Sequence, residues 1–202
     1  MSSAPAHAKI NLALVVGPAH DGMHAVTTVL QRLELSDRID VAPAGELTVT
    51  GFADDTLVTA VVTELALGVG AEPRFAVRIE KRIPIAAGLG GGSSDAATAL
   101  RLAAELLPDP PAEEHLREIA ASLGADVPFF LDPRPQLGEG DGRELTPLDL
   151  PRDYAVVLVL PHGAVKRATA DVYAAFDARG GEAGYEARRT ALLKGCGQYW
   201  AI

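Results

Sequence analysis

The sequence predicts an α/β protein. Period-two strand patterns at 10–16 and 75–79 alternate with helical faces at 57–65 and 100–107. A run of glycine and serine joins the second of those strands directly to a long helix. At 202 residues, 48% of them hydrophobic and 22% charged, the chain can bury a substantial core.

In order, Ile10, Leu12, Leu14 and Val16 alternate with Asn11, Ala13 and Val15 as a strand, broken by Gly17-Pro18 and Asp21-Gly22. The β-branched stretch 26–41 reads as two strands with a turn around Ser36-Asp37. Asp54-Asp55 opens a helix with Leu57, Ala60, Val61 and Leu65 on one face and Gly68 as its stop. Phe75, Val77 and Ile79 form a strand ending at Pro84, and a helix follows from 94 to 107. Pro108 to Pro111 ends that helix, and another runs over 111–123 with Glu113 and Glu114 in its first turn. Tyr154 to Leu160 is an apolar run of strand length, expected to be a buried central strand that needs neighbouring strands to cover it. A helix over 168–177 comes next. The Gly/Pro-rich stretch 132–151 marks the expected boundary between domains at 1–150 and 151–202.

A net charge of −9, with no basic cluster, argues against nucleic acid or an anionic membrane surface as partner. A small anionic substrate needs only local donors. Cys196 is the single cysteine, so neither an intrachain disulfide nor a cysteine-based metal set can form. The start, MSSAPAHAK, lacks a basic segment followed by an apolar run, and no apolar stretch has membrane-spanning length. A cytoplasmic protein is expected.

The segment 83–100, IPIAAGLGGGSSDAATAL, carries the chemistry. A helix N-terminus presents unpaired N–H groups and partial positive charge, and glycines ahead of it let the backbone close around a phosphate. Ser93 and Ser94 can cap the helix or donate to phosphate oxygens, and Ser94 could also ligate Mg²⁺. No lysine lies between Gly88 and Leu100, which removes a Walker A loop. Serine at 93 stands where a dinucleotide fingerprint needs glycine, and the protein-kinase motifs are missing.

The pattern Pro84-x-x-x-Gly88-Leu89-Gly90-Gly91-Gly92-Ser93-Ser94-Asp95-Ala96 resembles the phosphate loop of the GHMP kinases. Further segments match one branch of that family in order. They are Ala8-Lys9-Ile10-Asn11-Leu12, with His7 for a proline, and Asp21-Gly22-Met23-His24, with Met23 for an aromatic. Leu123-Gly124-Ala125-Asp126-Val127-Pro128 and Ala168-Thr169-Ala170-Asp171-Val172-Tyr173 complete the set. Thr56 stands where that branch often has asparagine.

The resemblance implies a two-layer GHMP kinase N-terminal domain, of the type named after ribosomal protein S5 domain 2. The first strand and helix of a ferredoxin-like second domain would follow it. The implied activity is phosphorylation, with ATP and Mg²⁺, of a hydroxyl on a cytidine diphosphate-linked methylerythritol in non-mevalonate isoprenoid synthesis. Pro84, Gly88, Leu89, Gly90, Gly91, Gly92, Ser93 and Ser94 would bind ATP phosphates, with Ser94 on Mg²⁺. Asp126 would take the hydroxyl proton and Lys9 would orient it, although alone the two read as a turn aspartate and a solvated lysine. Asn11, His24, Thr169 and Tyr173 would contact substrate, His24 reading the cytosine edge and Tyr173 stacking on the ring. The family's second glycine motif, of Gly-x-Gly-Pro type near the C-terminus, is matched only poorly by Gly195-Cys196-Gly197-Gln198. The alternatives are a GHMP kinase for another small alcohol and a shortened, catalytically impaired homologue.

Overall fold

The computed structural model describes residues 1–151, 153–160 and 169–197. Its elements are β1 (Ser2–His20), β2 (Met23–Pro43), β3 (Thr48–Thr50), α1 (Leu57–Gly68), β4 (Phe75–Glu80), α2 (Gly91–Ala104) and α3 (Glu113–Leu123). A 3₁₀ turn (Pro128–Leu131), β5 (Gln136–Glu139), β6 (Glu144–Pro147), α4 (Thr169–Asp177) and α5 (Tyr185–Cys196) follow. Among the described residues, no helix is long and apolar enough to cross a membrane.

The chain forms two compact units, one of residues 1–10 and 32–133, the other of residues 11–31 and 134–202. Their limits differ from the expected single boundary near 150, because β1 and β2 each contribute residues to both units.

In the first unit, β4 lies antiparallel to the second half of β2, with Ile39 opposite Ile79 and Val41 opposite Val77. β3 runs parallel to β4. These four apolar residues are buried while Arg78 is exposed, the one-faced alternation that the sequence carries. Helices α1, α2 and α3 pack on one another, and α2 also meets β4. Val58, Val61, Val62 and Leu65 bury one side of α1, and Ala96, Ala99, Leu100 and Ala103 bury α2. The small residues of α2 allow close approach of its neighbours. Asp55 starts α1, its carboxylate accepting the N–H groups of Val58 (3.1 Å) and Thr59 (3.1 Å).

Gly51 has φ +91°, and a Cβ built there would sit 1.9 Å from the Ile79 carbonyl oxygen. Gly51→Ala is therefore expected to destabilise the first unit by roughly 2 kcal/mol or more, through backbone strain and a clash with a β4 carbonyl. Urea denaturation measures this, and a variant with the wild-type midpoint would contradict it.

The expected turn at Ser36-Asp37 is corrected. β2 is continuous from Met23 to Pro43, because Asp37 is buried and bonded into the fold instead of turning the chain. Helix α2 begins at Gly91, three residues ahead of the expected start, and so takes two loop glycines into its first turn.

In the second unit, the first half of β2 pairs antiparallel with β5, Val29 facing Leu137. β5 and β6 form a hairpin across the Gly/Pro-rich stretch, closed by Gly142 N–H donating to the Glu139 carbonyl (2.9 Å). Val29, Leu137, Leu148 and Cys196 make a small core with Leu192 and Leu193 of α5 packed against it. The expected buried strand at 154–160 is also corrected. The segment forms no strand, and Val157 and Val159 are more than four-fifths exposed. An apolar run becomes a strand only where neighbours complete its ladder.

Candidate active site

The first unit builds a phosphate-type loop on a buried ionic anchor. Where β4 ends, Asp37 Oδ1 accepts the N–H groups of Arg82 (2.5 Å) and Ile83 (2.8 Å). Its Oδ2 accepts from Lys81 Nζ at 2.5 Å, and the same ammonium donates to Asp95 Oδ2 at 2.7 Å. The trio fastens β2, the strand leading into the loop and the helix leaving it. Burial pulls the Lys81 ammonium down, but hydrogen bonds to Asp37 and Asp95 outweigh it and raise its pKa.

Sequence reasoning did not find this anchor. The signal was nevertheless present, since Asp37 shares the β2 face of Leu35 and Ile39, where an apolar residue is the rule.

Burial is the largest influence on Asp95, pushing its carboxyl from an ordinary 3.8 up to about 7 against the pull of Lys81. A carboxyl raised on folding contributes stability that is complete below about 3.8 and lost as pH rises through about 7. The stability difference between wild type and Asp95→Asn should therefore drift against wild type across that window. Parallel melting curves from pH 4 to 8 measure the drift, and parallel pH dependences would refute it.

Beyond the anchor, Pro84 and Gly88 are exposed, and a Cβ at Gly88 would meet nothing within 4 Å, so the loop's outer side is open. Leu89 turns its carbonyl back to accept the Lys9 N–H at 2.8 Å. Gly90 stands at the start of α2 with φ +71°. A Cβ there would meet Lys9 Cγ and Phe130 Cζ at 2.9 Å each. Glycine lets the backbone turn into the helix while these two side chains close behind it. Gly91, Gly92 and Ser93 form the first helical turn, whose N–H groups have no acceptor within the helix. The arrangement fits a phosphate chain.

Ser94 is buried, its N–H donates to the Gly90 carbonyl (2.9 Å), and it borders a cavity with Thr98 and Arg101. Among the described residues no group of three His, Cys, Asp or Glu could hold a metal. A cation here would be carried on the nucleotide's own phosphates.

Lys9 reaches Asp126 within the same unit, Nζ lying 3.5 Å from Oδ2. The lysine is buried and the aspartate half-exposed, so a fixed cation holds one oxygen of a carboxylate open to solvent. Asp126 follows α3 directly, in a turn closed by Val127 N–H donating to the Gly124 carbonyl (3.2 Å).

The second unit holds the other candidates. Exposed Asn11 donates through Nδ2 to Thr28 Oγ1 (2.7 Å), which donates to the Ala13 carbonyl (2.8 Å). His24 Nδ1 lies 2.9 Å from the Gly17 carbonyl. A carbonyl only accepts, so this nitrogen carries the proton. Nε2 faces Asp177 at 3.4 Å. The His24 ring stacks on Tyr173, centroids 4.6 Å apart at 10°, and meets the edge of Phe176 at 5.8 Å. That interval is a single stacking contact, so a base would use the other face of Tyr173. Met23, beside His24, is 47% exposed. Thr169 opens α4, but its side chain lies outside the described residues, as does Ala168.

In the first unit a glycine loop at a helix N-terminus thus stands beside a lysine–aspartate pair, joined to it through the Lys9 N–H and the Leu89 carbonyl. The chain belongs to the GHMP kinase family. Residues 56–132 match the family model described as the GHMP kinases N terminal domain.

Its relatives within the family are 4-diphosphocytidyl-2-C-methyl-D-erythritol kinases. The one from Deinococcus radiodurans is 39% identical over 202 residues, covering 94% of this chain and 67% of the relative. That of Anaeromyxobacter sp. (strain Fw109-5) is 44% identical over 168 residues, covering 77% and 54%. A crystal structure of 4-(cytidine 5'-diphospho)-2C-methyl-D-erythritol kinase superposes with TM-score 0.65 at 38% identity, over 74% of this chain and 56% of that one. A mevalonate diphosphate decarboxylase from Legionella pneumophila superposes with TM-score 0.59 at 12% identity, covering 95% and 70%, a likeness of fold alone. The chain thus spans about half to two-thirds of the length of these relatives.

Proposed function

We propose that this chain phosphorylates the 2-hydroxyl of 4-diphosphocytidyl-2-C-methyl-D-erythritol with ATP, in the cytoplasm, as a step toward isoprenoid precursors. The observation that carries this reading is the Lys9–Asp126 pair, tied to the glycine loop through the Lys9 N–H to Leu89 carbonyl bond.

The loop from Gly88 to Ser93 would hold the phosphates by backbone N–H groups and the α2 N-terminus. Asp126 accepts the substrate hydroxyl proton as the oxygen attacks the γ-phosphorus. The bond from phosphorus to the bridging oxygen of ADP breaks, leaving a phosphate monoester and ADP. Lys9 orients Asp126, and its charge offsets the negative charge gathering on the transferred group. Mg²⁺ would supply neutralisation of the phosphate charge. Asn11 would contact the alcohol, and Thr169 the substrate diphosphate. His24 and Tyr173 would hold the cytosine, Tyr173 with the ring face that His24 leaves uncovered.

Coupled ADP release from the purified chain tests this, with the cytidine substrate against free methylerythritol. Turnover confined to the cytidine form supports it, and a folded chain releasing no ADP with either overturns it. Tyr173→Ala is expected to raise KM for the cytidine substrate about tenfold or more at similar kcat, the size of one lost base stack. An unchanged KM would place the base elsewhere.

A GHMP kinase acting on another small alcohol is the second reading. Exposed Met23 at the aromatic's position and the closed His24–Tyr173 stack favour it. Equal turnover of substrates with and without cytidine would select it.

A further inference from the structure

We propose that the first unit carries a second anion site, beside α2 and distinct from the glycine loop, which takes a small phosphate-class dianion between Arg32 and Arg101. A cavity of about 280 Å³ lies there. That is below the roughly 300–1,000 Å³ of pockets that enclose drug-sized ligands, so it suits phosphate or diphosphate and not a nucleotide. None of Gly88 to Gly92 borders it.

One face of α2 supplies Ser94, Thr98 and Arg101, spaced at four and three residues so that all three point the same way. Arg32 of β2 and Phe130 of the 3₁₀ turn supply the facing wall. Arg32 is held in place, donating through Nη2 to the Phe130 carbonyl and lying 5.9 Å from that ring's centre. Arg101 is exposed and makes no ion pair among the described residues.

The two guanidinium groups are close enough to matter to each other. Burial, then repulsion by Arg101, pushes Arg32 down to about 10, with Asp132 pulling the other way. Arg32 stays cationic at neutral pH. Both guanidinium groups border one space, and guanidinium forks match tetrahedral oxyanions. The Ser94 and Thr98 hydroxyls can donate to the remaining oxygens of such an anion. Glu105 borders the cavity one turn beyond Arg101 and repels an anion there.

Amide and arginine Nε–H resonances of the full chain, titrated with inorganic phosphate, test the proposal by location. Saturable shifts are expected at the Thr98 and Arg101 amides and at both arginine Nε–H groups. Arg101→Gln should weaken that response about tenfold or more, the worth of one charge-assisted contact, and Thr98→Val should weaken it less. The Gly88 to Gly92 amides report the glycine loop separately and should respond alike in all three proteins. The same spectra report folding, and Arg101 is an exposed position. Shifts confined to the loop amides, shifts that never saturate, or wild-type binding by Arg101→Gln would each overturn the second site. Loss of ATP binding or turnover would bear on the kinase reading and leave this result untouched.

Discussion

Asp126→Asn is expected to lower kcat by about 10²–10⁴-fold, the usual contribution of a positioned general base. Asparagine keeps the size and the turn but cannot take the hydroxyl proton. The Gly124–Val127 bond that closes the turn is made by backbone atoms and survives the change. KM for ATP should move little, because in the proposed mechanism the loop from Gly88 to Ser93 holds the phosphates without the carboxylate. Steady-state kinetics with an unfolding control check this. A variant within a few-fold of wild type would remove Asp126 from the chemistry. A matching loss in Lys9→Met alone would move the essential charge to the lysine.

The second large effect is on stability. Asp37→Ala removes the acceptor of two backbone N–H groups and of the Lys81 ammonium, from a carboxylate with no exposed side-chain surface. Breaking one partner of a buried pair typically costs 3–5 kcal/mol, a large part of the roughly 5–15 kcal/mol that holds a domain folded. We expect a loss of about 3–5 kcal/mol in urea denaturation. Asp37→Asn should lose less, because its amide oxygen can still accept from the backbone. A loss below about 1 kcal/mol would mean that water replaces the carboxylate without penalty. Phosphate binding should weaken in both variants, since Ile83 leads directly into the loop.

The sequence made the loop legible because its chemistry is local. A strand, glycines, two serines and a helix must be contiguous to form a phosphate cradle, so spacing alone carries them. Lys9 and Asp126 were legible only through resemblance, because no local pattern brings the start of a strand to the end of α3. The anchor of Asp37, Lys81 and Asp95 was missed for the opposite reason. An aspartate after a serine is ordinary turn chemistry, and only the tertiary partners Arg82, Ile83 and Lys81 keep β2 straight through it. The reading of 154–160 as a buried strand failed because hydrophobicity reports what a segment would bury, not whether a neighbour is present.

The chain passes between the two units three times, at 10–11, 31–32 and 133–134. Two of those passages run inside the continuous strands β1 and β2. No single cut can therefore release either unit, and neither corresponds to one uninterrupted stretch of coding sequence. Recombination at one point would always carry part of a strand of one unit along with the other. The phosphate loop and the residues expected to read the alcohol are for this reason inherited together. A chain interleaved in this way cannot exchange one unit for another by a single crossover.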